Sequence, residues 1–121
     1  RFGASSGALP TWLNEGLAMQ LAGDAWPELD QAMSGDFTVT PLTYLEGSWG
    51  ALPASAATVA YAEANSATRY LIERWGMARV DELLNALQAK SSIADAIQNK
   101  LSVSYEQFHR QWIESLEASQ P

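Results

Sequence analysis

Cysteine is absent from the 121 residues, which excludes a disulfide framework and any thiolate metal site. That absence does not fix a compartment, since a reducing cytosol and a bacterial periplasm both suit a chain without thiols. Histidine occurs once, at His109. A self-contained zinc enzyme draws several ligands from histidine or cysteine, so this chain cannot complete such a site alone. Basic residues are scarce, with 7 Lys and Arg against 14 Asp and Glu and a formal net charge of -7. That balance argues against nucleic acid and anionic membrane surfaces as partners. No apolar run approaches the roughly 20 residues of a membrane span. The chain opens on Arg1 with no basic-then-apolar leader behind it, as expected of a processed piece of a longer protein, so a missing signal says nothing about location.

What is present is globular. Hydrophobic residues make up 47% and charged residues 17%, enough for one domain, or part of one, with a modest core. Residues 1–10 read as a flexible Gly/Ser-rich lead-in and residues 11–121 as a helical subdomain. Pro10 opens a first helix over about Thr11–Leu21, ended by Gly23-Asp24. A short second helix is expected at Trp26–Met33, a brief extended connector at Phe37–Thr40, and a helical turn from Thr40-Pro41 to about Leu45.

The longest helix spans about Ala54–Trp75, with a 3.6-residue stripe of Ala57, Tyr61, Ala64, Thr68, Leu71 and Trp75. Gly76 stops it. Ala78–Gln88 follows with Val80, Leu83, Leu84 and Leu87 on one face. Ser92 caps a short helix to Lys100 that turns Ile93 and Ile97 inward. Ser104 and Gln107 form a capping box for the last helix, with Val103 and Phe108 as its hydrophobic staple. Its core stripe is Tyr105, Phe108, Trp112, Ile113 and Leu116. There is no internal repeat and no βαβ alternation, so the expected class is all-α, a bundle-like arrangement of about six helices.

The first helix carries the strongest chemical signal. Leu13, Leu17 and Leu21 form one apolar stripe, while Trp12, Met19 and Ala22 lie in line with Glu15 on another side. A carboxylate in such surroundings needs hydrogen bonds, a cation or a metal. The alternative is a first-turn acid that complements the helix dipole and has no further role. Gly16 costs roughly 1 kcal/mol against alanine inside a helix. Something therefore approaches that backbone closely, and tight helix packing would suffice.

Leu9-Pro10-x-Trp12-Leu13-x-Glu15-Gly16-Leu17-Ala18 resembles the P-x-W-L-x-E-G-L-A segment of the peptidase MA-like family of gluzincin zinc metallopeptidases. The stretch from Tyr61 to Gly76 is similar to a second helix of that class, and Ser104, Phe108, Trp112 and Leu116 fit its tail. The resemblance therefore covers nearly the whole chain in order. It implies the C-terminal helical part of a zincin domain. It also implies that Glu15 is the third protein ligand of a zinc ion, whose other ligands and general base come from an HExxH helix. Tyr61 matches the tyrosine that can hydrogen-bond the tetrahedral oxyanion in related aminopeptidases. From the residues alone, Tyr61 lies on the core stripe of its helix, where a buried tyrosine with a satisfied hydroxyl is the commoner case.

HExxH occurs nowhere in the chain. The expectation is that it lies upstream in the same protein, that this fragment binds zinc poorly and is inactive alone, and that the full-length protein hydrolyses peptides or proteins. The alternative from another class is a non-catalytic helical scaffold or interaction domain of the same fold. Glu63 and Arg69 are expected on the surface of their helix, and His109 is expected to be exposed with no metal role. Asp24, Glu28, Asp30 and Asp36 form an acidic stretch without the spacing of a calcium loop. The resemblance also implies a bacterial, often exported protein, which points to the periplasm or cell envelope.

Overall fold

In the computed structural model, residues 9–22, 41–47, 49–50 and 52–118 are described. The expected helix at Trp26–Met33, the connector at Phe37–Thr40, the acidic stretch and residues 1–8 lie outside them. Five α-helices and one 3-10 turn make up the described fold: α1 (Thr11–Ala22), the turn Leu42–Leu45, α2 (Ala54–Trp75), α3 (Met77–Gln88), α4 (Ile93–Leu101) and α5 (Tyr105–Ala118). No strand occurs among the described residues, so the chain is all-α as its periodicity indicates. No described helix is long and apolar enough to cross a membrane.

The chain divides into two compact units, one over Pro10–Arg69 and one containing everything from Tyr70 onward, with the division falling inside α2. In the first unit every described helical element starts at a proline. The Pro10 carbonyl accepts from the Leu13 and Asn14 amides at 3.1 and 3.0 Å, Pro41 from Tyr44 at 2.9 Å, and Pro53 from Ala57 at 2.9 Å. Proline suits these positions because its fixed φ is already helical and its missing N–H has no intrahelical partner there. Trp12, Leu13 and Leu17 of α1, Leu42 and Leu45 of the turn, and Ala60, Ala62, Ala64 and Ala67 of α2 are buried. The third member of the α1 stripe departs from expectation, since Leu21 is 73% exposed.

The alanine content of α2 has two consequences. It favours the helix intrinsically, and it leaves a shallow surface that another backbone can approach. α1 uses that surface at Gly16. A β-carbon there would lie 2.5 Å from the Ala64 carbonyl oxygen and 2.7 Å from Thr68 Cβ, closer than such atoms approach. Gly16 is therefore explained by packing. One turn later the Gln20 amide donates to Asn65 Oδ1 at 2.5 Å, a second tie between the helices.

In the second unit, Gly76 both closes α2 and opens α3. Its N–H donates to Ile72 at 2.8 Å and its carbonyl accepts from Val80 at 3.2 Å. Its φ of +85 and ψ of 159 are tolerated essentially only by glycine. This double duty lets α3 begin at Met77 rather than Ala78. Ser92 caps α4 by accepting from the Asp95 amide at 3.1 Å. The capping box of α5 is reciprocal: Ser104 Oγ accepts from the Gln107 amide at 3.0 Å, and the Ser104 amide donates to Gln107 Oε1 at 2.9 Å. Val80, Leu83, Leu87, Ile93, Ala96, Ile97, Leu101, Phe108 and Trp112 form the core of this unit. Tyr70, Trp75 and Phe108 meet ring to ring at 5.8 to 6.0 Å, and the Arg74 guanidinium lies 5.0 Å from the centre of the Trp75 ring.

Candidate functional site

Glu15 and Tyr61 both belong to the first unit. With Pro10 as the residue before α1, Glu15 lies beyond the first turn, which contains no acidic residue. The reading of Glu15 as a first-turn acid therefore fails. Its side of the helix grades outward: Trp12 is fully buried, Met19 half-buried and Ala22 exposed, with Glu15 itself half-buried. The carboxylate makes no hydrogen bond or ion pair among the described residues. The residue is thus partly shielded from water.

α1 holds this position in two ways. Its first amide, that of Thr11, donates to the Glu46 carbonyl just after the 3-10 turn at 3.0 Å. Its middle is clamped to α2 by the Gly16 contact with Ala64 and Thr68. Thr68 is fully buried, and its Oγ1 has no hydrogen-bond partner among the described residues. It lies against the Gly16 backbone, in the space a β-carbon there would occupy.

Tyr61 lies near the middle of α2, half-buried. Its ring meets Trp49 edge to face, with centroids 5.0 Å apart and planes at 82°. The Tyr61 hydroxyl makes no hydrogen bond among the described residues. Trp49 is itself anchored, because its indole N–H donates to the Leu45 carbonyl at 3.2 Å.

Two expectations are corrected here. Glu63 is not on the surface; it is fully buried. The buried face of α2 is broader than the large side chains suggest, since Ala60, Glu63, Ala64 and Ala67 share it, and alanine carries little weight in a periodicity count. The signal was the alanine spacing itself. His109 is half-buried rather than exposed, with its ring 5.6 Å from Trp112 and its Nδ1 buried and without a hydrogen bond among the described residues. Arg69 is exposed, as expected.

Burial holds the His109 imidazole below its usual value of 6.5. A histidine depressed in the fold contributes stability above its unfolded value that is lost as pH falls through the folded one. Stability is accordingly expected to drop on acidification from about pH 7.5 to 5, and a His109→Gln variant should show a shallower drop. Urea unfolding of both proteins at the two pH values checks this, and equal drops would remove His109 as a cause.

A zinc ion of the gluzincin kind takes two histidines and one carboxylate, leaving a place for water. Glu15 fits the carboxylate: an oxygen donor on a half-buried residue, with no hydrogen bond or ion pair among the described residues. No group of three His, Cys, Asp or Glu able to hold a metal occurs among the described residues. Glu15 could offer one carboxylate there, and the described residues hold no complete ligand set.

Residues 3–118 match the family model described as Peptidase MA superfamily. No curated protein and no solved structure matches the chain.

Proposed function

Because the chain belongs to the Peptidase MA superfamily, we propose that it is the helical part of a zinc-dependent peptidase whose HExxH helix is supplied by an upstream segment of the same protein. The observation that carries this reading is the state of two side chains in one compact unit. Glu15 and Tyr61 are both half-buried, and neither the carboxylate nor the hydroxyl has a hydrogen bond among the described residues. Unspent polar groups at those two positions are what a site completed from outside would leave. When bound, zinc would supply an activated water and polarise the peptide carbonyl. Glu15 would donate one carboxylate oxygen to the metal. Tyr61 would donate its phenolic proton in a hydrogen bond to the oxyanion as negative charge develops there. The substrate class is a peptide or protein.

A second reading is a non-catalytic scaffold with the same fold, and one observation favours it. Gly16, the neighbour of Glu15 in the motif, is accounted for by helix packing without any chemistry. One experiment separates the two. The full-length protein, freshly purified, should hold about one zinc per chain and cleave an unstructured protein. A chelator should abolish cleavage and added zinc restore it. A folded full-length protein with neither zinc nor cleavage would establish the scaffold.

A further inference from the structure

We propose that Trp49 is a positioning residue for Tyr61, fixing the direction of the phenol so that its hydroxyl points to the reacting carbonyl. The proposal rests on the reading of Tyr61 as the oxyanion donor. The argument starts from how a tyrosine ring is held. Most half-buried tyrosines are oriented by a hydrogen bond at the hydroxyl and by packing along the ring. Tyr61 has no such bond among the described residues, so among them packing is what orients it. The ring contact recorded for it is Trp49, edge to face at 5.0 Å and 82°, a geometry that the charge distribution of aromatic rings favours over stacking.

Trp49 can serve this purpose because it is itself tied down. It comes from the loop between the 3-10 turn and α2, where no helix fixes it. Its indole N–H donates to the Leu45 carbonyl at 3.2 Å. Leu45 in turn is 5% exposed and locked in the core beside Leu42. The next residue, Glu46, accepts the first amide of α1 through its carbonyl at 3.0 Å. The same short segment therefore sets the start of the helix that bears Glu15 and, through Trp49, the ring of Tyr61. A loop residue that looks like a simple anchor in sequence becomes the link between the two site positions.

The test has a structural arm and a kinetic arm. In the 121-residue chain with labelled tyrosine, the Tyr61 ring resonances are assigned by their loss in Tyr61→Phe. They should carry a ring-current displacement that vanishes in Trp49→Ala and persists in part in Trp49→Phe. Circular dichroism of each variant checks that the helices remain. In the zinc-loaded full-length protein, Trp49→Ala should lower kcat about tenfold with KM nearly unchanged, the scale expected when a catalytic group is misplaced by a fraction of an ångström. Trp49→Phe should recover part of that loss, and Trp49→Ala combined with Tyr61→Phe should be no worse than Tyr61→Phe alone. Unmoved Tyr61 resonances in Trp49→Ala, or additive losses in the double variant, would overturn the positioning role while leaving Tyr61 as oxyanion donor. Normal turnover by Tyr61→Phe would overturn the oxyanion reading and reduce Trp49 to packing.

Discussion

Alanine in place of Glu15 is expected to strip the full-length protein of its zinc, weakening retention by more than about 100-fold, since loss of a group that merely orients a ligand already costs 10- to 100-fold. Peptide cleavage should fall to background with it. The fold should survive, because the carboxylate is half-exposed and makes no hydrogen bond or ion pair among the described residues. Substitutions of that kind fall within about 0.5 kcal/mol of neutral. Metal analysis after gel filtration, paired with a urea titration, reads both effects in one preparation. Unchanged zinc content would remove Glu15 from the metal site. Lost zinc together with a large loss of stability would mean that the side chain acts on the helix and not on the metal.

The adjacent residue should behave in the opposite way. Gly16→Ala is expected to lower stability by about 2 kcal/mol net. Overpacking a tight contact costs about 1 to 3 kcal/mol and occasionally more, while alanine recovers about 1 kcal/mol of helix propensity. The overpacking cost should sit at the upper end because of what the new methyl group meets. A flexible side-chain tip could rotate away, but the Ala64 carbonyl at 2.5 Å is backbone and Thr68 Cβ at 2.7 Å is fixed to it. α1 and α2 must separate, and the Gln20–Asn65 hydrogen bond lies one turn along the same contact. Thr68→Ala in the same chain should rescue only in part, because it removes the hydroxyl and leaves the carbonyl. Equal midpoints of urea unfolding for Gly16→Ala and the parent chain would show that the helices are not held as close as the structure places them.

Much of the fold was legible because its boundaries are written in local chemistry. α2 begins after Pro53 and ends before Gly76, and its expected limits of Ala54 and Trp75 match the structure. The caps at Ser92 and Ser104 were readable because a short polar side chain followed three residues later by a matching group can only satisfy its own helix. The candidate site left traces in the sequence. The Glu15 and Tyr61 segments stand out as motifs, and Gly16 announced a close approach without saying of what. The burial of Glu63 was hidden because its helical neighbours are alanines, whose small side chains give a weak periodic signal. The Trp49–Tyr61 contact could not be read at all, since it joins a loop to a helix across a fold that no local spacing encodes.

The Glu15-Gly16 pair illustrates how a two-letter motif can carry two unrelated messages. On the proposed reading, one letter answers to coordination chemistry and could drift if the metal were abandoned. The other answers to the distance between two helix axes and could not drift, with or without a metal, because position 16 has no smaller residue to change to and any larger one meets backbone. A descendant of this sequence that gave up catalysis would therefore lose the glutamate first and keep the glycine. The glycine on its own marks shared ancestry of the fold, and on the proposed reading only the glutamate would mark the reaction.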